Sequence, residues 1–158
     1  MREDLADLWT YPADARVITT NGTVKANGRA VMGRGVAKQA TERFAMIRLL
    51  LGQHLRARGN HVGILVAPAT YQWLPEPIVS FPVKHQYFEM ADLDLIARSA
   101  TELVALTGEQ GWRQVVLPRP GCNNGRRSWQ REVRPILLPL LDDRFTVVVN
   151  VEPEEARS

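Results

Sequence analysis

Short, nearly continuous apolar runs rich in β-branched residues alternate along this chain with longer stretches of helical periodicity. The runs fall at residues 16–20 (RVITT), 62–67 (VGILVA), 78–83 (IVSFPV), 114–118 (QVVLP) and 145–151 (FTVVVNV). They are too short for helices and lack the apolar–polar alternation of a strand with one wet face. Strands of this kind belong to a sheet covered on both sides. The covering helices are expected at residues 35–44, then after a break at 47–58, at 92–107, and at 128–141 despite Pro135 and Pro139. In the third of these, Leu93, Ile96, Ala97, Ala100, Leu103 and Val104 recur at helical spacing. Asp92 and Ser128 stand where N-caps are needed. The alternation predicts an α/β fold, a three-layer α/β/α sandwich around a central mixed sheet.

At 158 residues the chain has the length of one ordinary domain. Residues 1–151 are expected to form it, with 152–158 as a disordered tail. No run approaches the roughly 18 apolar residues of a membrane helix. The start MREDLADLWT is acidic where a secretory signal is apolar, so a cytoplasmic location without membrane contact is expected. Cys122, the single cysteine, excludes an internal disulfide. It shares no zinc-ligand spacing with His54, His61 or His85, so no metal and no cofactor is expected. A formal net charge of +3 leans mildly towards anionic partners. The arginines between positions 113 and 134 form either a basic rim beside a site or a solvated helix face.

Two of the strand-to-helix junctions are rich in glycine. Residues 21–37 read NGTVKANGRAVMGRGVA, and residues 118–129 read PRPGCNNGRRSW. In open α/β sheets, ligands bind beyond the carboxyl ends of the strands, where helix N-termini offer unpaired N–H groups to an anion. Gly33 and Gly35 put no side chain in the way, and Gly121, Asn123, Asn124 and Gly125 tolerate the backbone angles that turn N–H groups inward. Neither loop is a GxGxxG or a GxxxxGK[ST] motif, so neither a Rossmann fingerprint nor a P-loop is present. Each loop alone can be an ordinary turn; as a pair they can close on a diphosphate from two sides.

The segments ITTNGTVKANGRAVMGRGVAKQA, SFPVKHQY and LPRPGCNNGRRSW, in this order, resemble the macrodomain family. Within it they resemble the branch of terminal ADP-ribose glycohydrolases and DarG-like ADP-ribosyl hydrolases. The resemblance spans nearly the whole chain and implies an ADP-ribose ligand. It assigns Asp7 to the adenine amino group and Asn21 to the distal ribose. Gly33, Arg34, Gly35 and Val36 would wrap one side of the diphosphate, and Gly121, Cys122, Asn123, Asn124 and Gly125 the other. Cys122 is a small loop filler in this scheme, with no histidine to make it a nucleophile. Lys84, in a segment matching FPxK, would act catalytically on the distal ribose, by attack on its anomeric carbon or by assisting opening of the sugar.

One departure stands out. The second loop of such enzymes carries a carboxylate, either where this chain has Gly125 or, in the DarG-like pattern GCGNGGLDW, where it has Ser128. Glu89, Asp92 or a substrate group must then supply the acid or base. The expected function is removal of ADP-ribose from acidic protein side chains or DNA bases by a monomer. The alternatives are a non-catalytic ADP-ribose reader and a phosphatase acting on ADP-ribose 1″-phosphate. Of the aromatic residues Trp9, Tyr71, Trp73, Tyr87, Phe88, Trp112 and Trp129, Tyr87 and Phe88 are the foremost candidates for cleft walls.

Overall fold

The structure, a computed structural model, describes residues 1–67 and 77–150. Its elements in chain order are β1 (Arg2–Leu5), β2 (Ala15–Asn21), α1 (Gly35–Arg43), α2 (Ile47–Arg58), β3 (Gly63–Val66), β4 (Ile78–Lys84), α3 (Leu93–Gln110) and β5 (Val115–Pro118). A single π-helical turn, Trp129–Val133, then runs into α4 (Arg134–Leu137), and β6 (Phe145–Val149) follows.

The six strands lie in the order β1-β6-β5-β2-β4-β3. All neighbours are parallel except β3, which runs antiparallel to β4 at one edge. The sheet is therefore mixed, and the carboxyl ends of β2, β4, β5 and β6 open on the same edge. Consecutive residues of the central strands point to opposite faces. Val17 and Phe81 pack with Ile96, Leu103, Val133 and Leu137 beneath α3 and α4. Ile18 and Ile78 pack with Ala40, Ile47 and Leu51 beneath α1 and α2. The expected α/β/α sandwich is what forms.

Two elements differ from the expectation. β1 was not foreseen: its residues REDL are all exposed, so the strand carries no apolar signal and is held by parallel pairing of Arg2–Leu5 with residues 146–149 of β6. The long helix expected over 128–141 is a π turn followed by one short α-helix. Pro135 has no N–H for the carbonyl of Arg131 and its ring crowds that carbonyl. The turn widens instead, with Val133 N–H on Ser128 O (3.1 Å) and Arg134 N–H on Trp129 O. The predicted caps do form: Asp92 Oδ1 accepts from Asp94 N–H and Leu95 N–H, and Ser128 Oγ accepts from Arg131 N–H. The expected tail, the end of the 145–151 strand, Tyr71 and Trp73 lie outside the described residues.

Candidate functional site

An open cleft of about 1800 Å³ lies along the carboxyl edge of the sheet. Asn21 and Lys84 enter it side by side, because the last residue of β2 pairs with the last residue of β4 after a register shift at Thr20. The Asn21 side chain also shapes the first loop. Its Oδ1 accepts from Thr23 N–H and its Nδ2 donates to Val31 O, both at 3.0 Å. Each group keeps capacity for one more partner.

Gly33, Arg34, Gly35 and Val36 line the cleft at the start of α1. A Cβ on Gly33 would meet nothing within 4 Å, so this backbone faces open space. Arg34 occupies the N-cap without a capping side-chain bond, and the first turn has no acidic residue. The first N–H groups of α1 are thus left for an anion. The two loops meet here: a Cβ on Gly35 would sit 2.9 Å from Asn124 Nδ2.

Gly121, Cys122, Asn123, Asn124 and Gly125 line the opposite wall. Gly121 is left-handed (φ 73°), as is Arg126 (φ 63°), where a side chain is normally disfavoured. Gly125 is packed so tightly that an added Cβ would lie 2.5 Å from Gly121 O and 2.7 Å from Gly121 Cα. The loop therefore excludes a carboxylate at position 125. Ser128, the other position at which a carboxylate was sought, caps the π turn and does not line the cleft.

Lys84 is braced between two carbonyls. Its Nζ donates to Tyr87 O at 3.3 Å and to Asn124 O at 3.2 Å, which ties the end of β4 to the second loop. Burial, followed by the positive charges of Arg126 and Arg34, holds its pKa below the ordinary lysine value. Cys122 behaves oppositely: burial pushes its thiol up to about 11, and Sγ donates to Pro120 O. A protonated thiol bonded to a carbonyl is a poor nucleophile. Asp92 is committed to capping α3 and to His85 Nε2 at 2.7 Å, the contact that chiefly lowers its pKa. Among the described residues, the carboxylates left on the cleft are Asp7 and Glu89.

Asp7 also lines the cleft, on a segment fastened to the sheet by buried Arg16. That guanidinium donates to Leu8 O and, at 2.7 Å, to Tyr11 O. Trp9 follows, its Nε1 on Gln39 Oε1 (2.8 Å) and its ring under Arg43 (4.4 Å). Gln39 and Arg43 were not foreseen as cleft residues. With Val36 they recur at i, i+3 and i+7 on α1, a helix-face signal that the glycines upstream overshadowed. The arginines of the 113–134 stretch divide: Arg119 and Arg126 line the cleft, whereas Arg127 and Arg134 pair with Glu132 and Glu3. Tyr87 and Phe88 form an exposed, edge-on aromatic pair on the rim. Among the described residues no three His, Cys, Asp or Glu side chains cluster as a metal site, and no helix is long and apolar enough to cross a membrane.

No protein-family model and no curated protein matches the chain. Solved structures do. The macrodomain of Thermus aquaticus DarG is 26% identical and superposes with a TM-score of 0.72, over 96% of this chain and 97% of its own. The macrodomain of Mycobacterium tuberculosis DarG is 23% identical with a TM-score of 0.78 over the same shares. Thermosipho africanus DarTG in complex with ADP-ribose matches at 16% identity and a TM-score of 0.74, over 98% of this chain and 42% of that one. The fold is that of a macrodomain, and the resemblance to the DarG-like branch holds.

Proposed function

We propose that this chain binds ADP-ribose and hydrolyses its bond to a modified macromolecule, with acidic protein side chains or DNA bases as the carrier. The observation that carries the reading is Lys84, braced at 3.2 Å on Asn124 O and alongside Asn21 in the strand register. In this reading the diphosphate lies between the backbone of Gly33–Val36 and that of Gly121–Gly125. The adenine lies towards Asp7 and Trp9, and the distal ribose towards Asn21 and Lys84. The ADP-ribose bound to the Thermosipho africanus DarTG chain supports the ligand class.

The bracing of Lys84 suits reaction. A neutral amine has two hydrogens, and the two carbonyls take both, which leaves the lone pair for the anomeric carbon of the ribose. Burial, then Arg126 and Arg34, favour that neutral form, and the two arginines add positive potential beside a diphosphate. Incubation with ADP-ribosylated protein and with ADP-ribosylated oligonucleotide tests the reading, with calorimetry on free ADP-ribose alongside. Release from at least one carrier is expected. Tight ADP-ribose binding with no release from either defeats the hydrolase and supports a reader. The reader has one observation in its favour: the packing at Gly125 that excludes the loop carboxylate.

A further inference from the structure

We propose that Glu89 is the catalytic base of this cleft, taking the proton that Lys84 must shed and returning it to the leaving group. The inference rests on the hydrolase reading and adds to it the residue that stands in for the missing loop carboxylate.

Elimination and anchoring both point to Glu89. Of the acidic candidates near Lys84, Asp92 is spent on the α3 N-cap and His85. Asp7 sits on the segment that Arg16 anchors, and its Oδ1 already accepts from Trp9 N–H at 3.0 Å. Glu89 lines the cleft, and its carboxylate has no hydrogen bond or ion pair with any described residue. Its backbone is fixed from both sides. Lys84 Nζ holds Tyr87 O, Glu89 N–H bonds Gln86 O at 3.1 Å, and Ala91 N–H bonds Gly125 O at 3.0 Å. Arg127 Nε locks Ala91 O at 2.7 Å. An unpaired carboxylate on a segment laced both to the lysine and to the second loop is placed to exchange protons there.

The cycle balances. The Lys84 ammonium gives one proton through a bridging water to the Glu89 carboxylate, and the amine lone pair forms a bond to the anomeric carbon. The bond from that carbon to the carrier breaks, its electron pair leaves with the carrier atom, and Glu89 returns the proton to that atom. Water then attacks the same carbon, losing a proton to Glu89, while the carbon–nitrogen pair returns to Lys84. Proton transfer from Glu89 to Lys84 resets both groups, with one water consumed.

The test compares the wild-type chain with Glu89→Gln, Glu89→Asp and Lys84→Ala, using an ADP-ribosylated carrier, free ADP-ribose, and the pH dependence of amine acylation at Lys84. Glu89→Gln should lower kcat roughly 100-fold or more, the usual scale of general-base loss. It should leave ADP-ribose affinity within about twofold, abolish the acid limb of the kcat profile, and move the Lys84 acylation midpoint to lower pH. Glu89→Asp should restore part of kcat. If Glu89→Gln keeps kcat within about threefold and leaves the acid limb and the midpoint in place while Lys84→Ala is inactive, the proposal fails and the hydrolase reading stands. If the wild-type chain releases nothing, the hydrolase reading fails and the role of Glu89 falls with it.

Discussion

Two glycines on facing walls of the cleft should respond in opposite ways to the same added methyl group. At Gly125 an alanine Cβ would be 2.5 Å from Gly121 O, 2.7 Å from Gly121 Cα and 2.8 Å from Ala91 Cβ. Two of these neighbours are backbone, so the loop itself must shift. Overpacking of this kind costs about 1–3 kcal/mol. Displacing Gly125 O from Ala91 N–H adds about 0.5–1.5 kcal/mol. The sum, about 1.5–4.5 kcal/mol, corresponds to a fall in Tm of roughly 3–18 °C for a chain of this size. At Gly33 the same Cβ meets nothing within 4 Å and the backbone is not left-handed. Gly33→Ala should change stability by no more than about 0.5 kcal/mol. It nevertheless puts a methyl group where the diphosphate is to lie, and ADP-ribose affinity should fall roughly tenfold, about 1.4 kcal/mol. Thermal melts and calorimetric titration of both variants separate the two effects. A Gly125→Ala chain that melts within about 1 °C of wild type, or a Gly33→Ala chain that loses as much stability as Gly125→Ala, refutes the account of the loops.

Other perturbations have equally definite outcomes. Lys84→Ala should abolish release of ADP-ribose while leaving its affinity within about threefold; unchanged turnover removes Lys84 from the chemistry. Because the Lys84 pKa is lowered, the neutral-amine fraction rises with pH below the ordinary lysine value, and acylation at Lys84 in the wild-type chain should have its midpoint below 10.5; a midpoint at or above that value contradicts the assignment. Cys122→Ser should retain turnover, since a thiol held up to about 11 contributes no thiolate at neutral pH; loss of turnover with intact binding would restore the thiol to the mechanism. Asp92→Ala should cost about 1 kcal/mol through the lost N-cap. Its carboxyl titrates below the ordinary value, so that contribution is present above the unfolded pKa and disappears as pH falls through the folded one; melts that differ equally in acid and at neutral pH would contradict this. Arg16→Met leaves Leu8 O and Tyr11 O without their donor and should cost about 1–3 kcal/mol, with weaker ADP-ribose binding from a loosened Asp7–Trp9 segment.

What could be read from the chain, and what could not, follows from how far each signal reaches. Runs such as RVITT and IVSFPV announce a sheet covered on both faces, since no polar alternation marks a wet side. The glycine and asparagine clusters announce the two loops for the same local reason. β1 gave no such sign: REDL is polar and exposed, and only pairing with β6 makes it a strand. The turn at Trp129–Val133 depends on the clash of one proline with a carbonyl four residues back, which helical periodicity does not register. Within the cleft, the neighbours of Lys84 were visible only in part. Its place beside Asn21 comes from strand register, and its hold on Asn124 O from residues forty positions apart. The division of labour among the carboxylates was visible by half. Asp92 was legible as the N-cap of α3, whereas nothing local in the sequence marks Glu89 as facing the cleft.

The most direct test of the central claim is a crystal structure of this chain with ADP-ribose. The diphosphate oxygens should accept hydrogen bonds at about 2.7–3.2 Å from N–H groups of both Gly33–Val36 and Gly121–Gly125. The anomeric carbon of the distal ribose should lie within about 3.5 Å of Lys84 Nζ. A diphosphate bound by one loop alone, or a ribose too far from Lys84 for even one bridging water, would contradict it.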